Sequence, residues 1–131
     1  MSPEEVVRQF CALVSKRDVE ALRPLLDDEI VYHNIGMPAS RGIEATLANI
    51  ASQWEMFPAT YDWDIRHLSS DGDIVLTERI DSVGPPGVTA PVPVMGVFEI
   101  HNGKIKNWRD YFDSGLVGKM FAGEDTSELT P

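Results

Sequence analysis

The sequence predicts an α+β domain of N-terminal helices packed on a mainly antiparallel sheet; a strongly curved sheet wrapped by those helices would make a cone with an internal pocket. Three observations predict it. Apolar residues recur at helical spacing through the first half of the chain, as far as Phe57. From Thr60 onward the period changes to two, over four successive segments. Asp71-Gly72 and Asn102-Gly103 join those segments in pairs, and such dipeptides accept the positive φ of tight hairpins. Helices first and an antiparallel meander second define the class. Pro91, Pro93 and Gly96 are compatible with bulges and bends that would curve the sheet.

Each element has its own signal. Ser2 and Glu5 have capping-box spacing, with Pro3 at the first helical position. Val6, Val7, Phe10, Leu13 and Val14 then form an apolar stripe, and the helix is expected to end near Lys16-Arg17. Asp18 caps a second, short helix that turns Val19, Leu22, Leu25 and Leu26 inward. Residues 29–34 read as a short strand. After a loop with Gly36 and Pro38, a third helix is expected from about Gly42 to Phe57, carrying Ile43, Leu47, Ile50 and Trp54 at 3.6-residue spacing, with Pro58 just beyond. Strands are expected over 61–69, 73–83, 92–101 and 104–113, with Gly84-Pro85-Pro86-Gly87 as a longer connection. Ser114 is the expected cap of a last helix ending at Met120-Phe121. Residues 1–122 form one domain in this reading, and 123–131 a polar tail.

Bulk properties exclude several functions. A chain of 131 residues fits a single domain with a core that needs no disulfide or metal. Eleven basic residues are scattered among twenty-one acidic ones, for a net charge of −10. That argues against nucleic acid and against an anionic membrane surface. No run approaches the ~18 apolar residues of a spanning helix, and Met1–Glu5 is acidic rather than the basic start of a signal peptide. Cys11 is the lone cysteine, sits on a helical stripe and reads as a small buried residue; the cytoplasm is the default location.

Three strand triplets carry the chemistry: Tyr32-His33-Asn34, Arg79-Ile80-Asp81 and Trp108-Arg109-Asp110. In a strand, residues i and i+2 share a face. Tyr32 with Asn34, Arg79 with Asp81, and Trp108 with Asp110 are therefore co-facing pairs. Aspartate is depleted from strands and costly to bury unpaired. One guanidinium between two carboxylates stabilises charge on both, and a single shared proton makes the group neutral. A base and an acid then coexist at neutral pH, as hydrolysis requires. Tyr32 and Asn34 offer donors and acceptors for a water, and the Trp108 indole can brace a carboxylate. Structural roles, an ion pair for Arg79 and core packing for Tyr32 and Trp108, use the same residues. His33, His67 and His101 lack metal-ligand spacing, and no Gly-x-Ser-x-Gly elbow or phosphate loop is present.

Taken together, Tyr-x-Asn before a loop and helix, Arg-x-Asp on a middle strand and Trp-Arg-Asp-Tyr-Phe-Asp on the last strand resemble the limonene-1,2-epoxide hydrolases. Those enzymes share a cone-shaped fold with nuclear transport factor 2 and the ketosteroid isomerases. The resemblance spans nearly the whole chain in element order. It implies that Asp110 is the general base, holding the attacking water with Tyr32 and Asn34. It implies that Asp81 is the acid that protonates the epoxide oxygen, that Arg79 bridges the two, and that Trp108 occupies a supporting pocket position. It implies no cofactor and a homodimer formed through the sheet. Val83, Val94, Phe112 and Leu116 are the expected pocket walls. With Met1 close to the first helix, the longer N-terminal extension seen in relatives is not expected. The expected function is one-step hydrolysis of a small apolar, cyclic, limonene-oxide-like epoxide to a vicinal diol. A ketosteroid-isomerase-like or polyketide-cyclase-like enzyme and a non-catalytic binding or dimerisation module are the rival readings.

Overall fold

The computed structural model describes Met1–Pro131. Helix α1 spans Pro3–Leu13 and runs on as a 3-10 turn over Val14–Lys16. Its capping box forms: the Ser2 hydroxyl accepts from the Glu5 amide at 3.2 Å, and the Ser2 amide donates to Glu5 Oε1 at 3.1 Å. Val6, Val7, Phe10 and Cys11 are its buried face. Arg17 then turns left-handed at φ 56°. From there its guanidinium donates to the Trp54 and Phe57 carbonyls at 2.7 and 2.8 Å. Those are orphan carbonyls at the end of helix α3 (Ile43–Met56), so the contact closes that end. Helix α2 (Val19–Leu22), capped by Asp18, leads through a 3-10 turn into strand β1 (Leu26–Asn34).

Strand β1 starts before the expected Glu29. The pairing shifts register between Leu26 and Val31, and that irregularity hides the period of two. A two-residue strand β2 (Ser40–Arg41) pairs with β1 and is too short to leave a sequence pattern. The remaining strands are β3 (Thr60–Asp71), β4 (Ile74–Gly84), β5 (Ala90–His101) and β6 (Lys104–Tyr111). Two-residue loops, Gly72-Asp73 and Asn102-Gly103, join the hairpins. Asn102 and Gly103 are both left-handed, at φ 50° and 74°. Helix α4 (Ser114–Phe121) is capped by Asp113 rather than by Ser114, because β6 ends at Tyr111 and frees the Asp113 carboxylate to accept from the Leu116 amide at 3.0 Å.

The six-stranded sheet has the order β2-β1-β6-β5-β4-β3. All neighbours are antiparallel except β1 and β6, which run parallel with Tyr32 opposite Trp108 and Asn34 opposite Asp110. The irregularities lie at Leu26/Val31, Ile65/His67 and Glu99/Ile100. Pro91, Pro93 and Gly96 make no bulge, since β4 and β5 pair without a break from Ile74–Glu99 to Val83–Ala90. Strand β5 meets β6 only from Met95 onward. The prolines thus lie where β5 is bonded to β4 alone and no second ladder needs their missing N–H.

One core joins the helices to the sheet around Phe10, Trp63, Phe98 and Trp108. Trp108 stacks on Tyr32 with centroids 3.7 Å apart and on Phe98 at 5.9 Å. A smaller cluster of Ala90, Val92, Val94 and Met120 lies under α4. No helix is long and apolar enough to cross a membrane.

Candidate active site

Between the two clusters lies a cavity of about 360 Å³, within the range of small-molecule sites. Tyr32, Asn34, Asp81 and Asp110 all line it. The sheet register explains why. Asn34 lies beside Asp110 across the parallel β1–β6 pair, and Thr77, Gly96 and Asp110 face one another across β4, β5 and β6. All three co-facing pairs are joined by hydrogen bonds: Asn34 Nδ2 donates to the Tyr32 hydroxyl at 3.0 Å, Arg79 donates to Asp81, and the Trp108 indole donates to Asp110 Oδ1 at 3.0 Å.

Arg79 is fully buried, and it uses every donor it has. Nε and Nη2 donate to the two oxygens of Asp81 at 3.0 and 2.8 Å. Nη1 and Nη2 donate to the two oxygens of Asp110 at 3.2 and 2.9 Å. Nη1 also donates to Thr77 Oγ1 at 3.1 Å, completing the five N–H groups of a guanidinium. The Thr77 hydroxyl passes its own proton to the Gly96 carbonyl at 3.4 Å. Trp63 covers the guanidinium carbon at 4.5 Å from its ring centroid.

This packing sets the charges. Burial pushes the Asp81 carboxyl up to about 6, against the opposing pull of Arg79. Burial works against the Arg79 charge, but Asp110 and Asp81 outweigh it and hold the guanidinium firmly protonated. Burial also raises the Tyr32 phenol, helped by the Asp110 charge, so Tyr32 stays a neutral hydroxyl. Asp110 Oδ2 accepts one protein hydrogen bond against two on Oδ1, which leaves Oδ2 with capacity for a water. The arrangement can therefore take a proton at one carboxylate and give one from the other.

Of the expected pocket walls, Val83, Val94 and Phe112 line the cavity and Leu116 does not. With Asp113 as the cap, α4 presents Val117 and Phe121, one turn apart, while Leu116 packs on the cluster beneath. Trp108 is fully buried and also lies off the cavity, as support for Tyr32 and Asp110. Gln53 and Asn49 on α3, and Tyr61 on β3, line the cavity without having been singled out in the sequence. The signal for Asn49 and Gln53 was a polar i, i+4 pair bordering the apolar stripe of α3. No group of three or more His, Cys, Asp or Glu side chains gathers as a metal site.

Gly96 is the residue that lets Arg79 reach Asp110. A Cβ there would sit 2.3 Å from Arg79 Nη1, 2.7 Å from Asp110 Oδ1 and 2.9 Å from Thr77 Oγ1. Gly96→Ala is therefore expected to push the guanidinium off Asp110. The expected result is a folded but less stable protein, by about 1–3 kcal/mol, with turnover down at least about tenfold. Thermal melts and initial rates check it; wild-type values for both would refute the fit.

Several known proteins are similar to this chain. The family model for the limonene-1,2-epoxide hydrolase catalytic domain matches residues 1–122. Epoxide hydrolase EphG of Mycobacterium tuberculosis is 34% identical over 119 residues, covering 89% of this chain and 75% of that protein. The structure of an LEH-like epoxide hydrolase from M. tuberculosis superposes with a TM-score of 0.82 at 28% identity, covering 95% of this chain and 92% of that one. An NTF2-like protein of unknown function from Cytophaga hutchinsonii superposes with a TM-score of 0.74 at 14% identity, over 90% of this chain and 96% of its own, and shares the fold.

Proposed function

The chain belongs to the limonene-1,2-epoxide hydrolase family, and from that premise we propose that it adds water to a small, apolar, cyclic epoxide to give a vicinal diol. One observation carries this reading: a buried guanidinium clamps two aspartates at the floor of a cavity, beside Tyr32 and Asn34. Twelve of the eighteen lining residues are hydrophobic, which favours an apolar substrate body.

In the proposed reaction, Asp110 accepts a proton from a water held also by Tyr32 and Asn34. The water oxygen attacks an epoxide carbon, the C–O bond breaks, and Asp81 gives its proton to the leaving oxygen. Activating the nucleophile and neutralising the alkoxide are separate tasks, and the two carboxyl groups share them. One proton is gained at Asp110 as one is lost from Asp81, and Arg79, bonded to both, stabilises whichever carboxyl is ionised. Neither aspartate forms a bond to carbon, and the scheme needs no cofactor. Diol release from a panel of cyclic and acyclic epoxides tests the reading. A panel with no diol above the uncatalysed rate would refute it.

The proposal extends to a homodimer. On the sheet face turned from the cavity, Leu76, Met95 and Tyr111 are 44, 50 and 45% exposed on three adjacent strands, beside Ile74. Exposed apolar side chains gathered on one sheet face, here around Glu78 opposite Met95, favour an interface. Sedimentation equilibrium is expected to give twice the 14.5 kDa chain mass at micromolar concentration. A monomer throughout would contradict it.

A further inference from the structure

A second polar network reaches the site from α3. Gln53 Nε2 donates to the Tyr32 hydroxyl at 3.0 Å and to Asn49 Oδ1 at 2.8 Å, while Gln53 Oε1 accepts from the Tyr61 hydroxyl at 2.6 Å. Asn49 Nδ2 in turn donates to Ser40 Oγ at 3.0 Å. The distances set the direction of the network. O–H···O bonds run shorter than N–H···O bonds. The 2.6 Å contact fits a phenol giving its proton to the amide oxygen, which leaves the Gln53 amino group for Tyr32 and Asn49.

A tyrosine hydroxyl has one proton and two acceptor sites. On Tyr32 the amides of Asn34 and Gln53 fill both acceptor sites, each at 3.0 Å. The Tyr32 proton is then directed away from both amides, toward the cavity that Tyr32 lines.

We propose that Gln53 is a positioning residue for the nucleophilic water: by filling the second acceptor site of Tyr32 it forces the phenolic proton toward that water. The inference rests on the hydrolase reading above. A water that accepts from Tyr32 keeps both its own protons for acceptors, one for Asp110 and one for Asn34 Oδ1. Its remaining lone pair faces the epoxide carbon. Without the Gln53 amino group, the Tyr32 hydroxyl can rotate and accept from the water instead, competing with Asp110.

The test has two arms. Gln9 and Gln53 are the glutamines of the chain, and Gln9 is exposed, so ¹⁵N-glutamine labelling isolates the Gln53 side-chain NH₂. Tyr32→Phe is expected to shift one of its two proton resonances upfield and leave the other. If Tyr61→Phe moves it and Tyr32→Phe does not, the network runs the other way and the proposal fails. The second arm is a double-mutant cycle on kcat. Gln53→Leu is expected to lower kcat about tenfold, the equivalent of one hydrogen bond, with KM within about twofold. In the Tyr32→Phe background it should add nothing, since Gln53 acts through Tyr32. Gln53→Met serves if the leucine variant does not fold. Effects that multiply, or a change in KM alone, would overturn the proposal. A wild-type protein inactive on every epoxide defeats the hydrolase reading, while the resonance arm still decides the polarity.

Discussion

Asp110→Asn and Asp81→Asn are each expected to lower kcat by about 10²–10⁴-fold while the chain stays folded. The two fail for different reasons. In Asp110→Asn the new amide cannot take a proton from water, though its oxygen can still accept from Trp108 and Arg79. In Asp81→Asn the new amide cannot supply the proton that the opening epoxide needs. The pH behaviour separates them. Burial raises Asp81 to about 6, so in the wild type kcat/KM is expected to fall as pH rises through that region. The residual activity of Asp81→Asn should lack this limb, and that of Asp110→Asn should keep it. Stability carries the same signature. The folded Asp81 value lies above its unfolded value of about 3.9, so the folded state binds the extra proton. Its contribution is fully present below about 3.9 and is lost as pH rises through about 6, opposite to an ordinary salt-bridged aspartate. The difference in melting temperature between wild type and Asp81→Asn, followed from pH 4 to 8, reads it directly. A folded variant of either kind with wild-type kcat would remove that residue from the mechanism.

Arg79→Met is expected to have the largest effect on stability. Arg79 is fully buried, and its loss strands two carboxyl groups that it alone joins. Breaking a buried pair of this kind costs about 3–5 kcal/mol. In a domain of this size that lowers the melting temperature on the order of 10–20 °C. Part of the loss should return at acid pH, where both carboxyls hold protons and no longer repel. Arg79→Lys should not rescue activity. An ammonium has three donors and a point charge, and cannot span two carboxylates and Thr77 as the planar fork does. A lysine variant with wild-type melting temperature and rate would show that the position needs only a positive charge.

The meeting of Arg79 with Asp81 and of Trp108 with Asp110 was legible because strand geometry is local. Once 79–81 and 108–110 read as strands, i and i+2 had to share a face, and both pairs do meet. Tyr32 and Asn34 were legible for the same reason. What the sequence hid is long-range. The parallel pairing of β1 with β6 depends on where the chain returns after the helices, and no periodicity encodes it. Gly96 looked like a bend because a missing side chain has two readings, curvature or room for a neighbour. Only the Arg79–Asp110 contact across it decides between them. Leu116 was misplaced because which face α4 turns to the cavity depends on its packing against the cluster of Ala90, Val92 and Val94, a long-range contact that the helix's own residues do not state. Gln53 was passed over because a polar residue beside an apolar helix stripe is ordinarily solvated; here it meets Tyr32 and Tyr61.

The central claim, direct attack by water on the epoxide, is tested by a single turnover. Tyr32 and Asn34 beside Asp110 suit a carboxylate that takes a proton from water, whereas a carboxylate attacking carbon needs no water between. Arg79 and Trp108 donate to Asp110 and lower its nucleophilicity while leaving it able to accept a proton. Enzyme in excess over a cyclic epoxide, quenched after one turnover in ¹⁸O-water, is expected to yield diol in which every molecule carries one ¹⁸O, the other oxygen being that of the epoxide, and unlabelled aspartates. Unlabelled diol in that first turnover, with ¹⁸O appearing in the peptide that carries Asp81 or Asp110, would contradict the account.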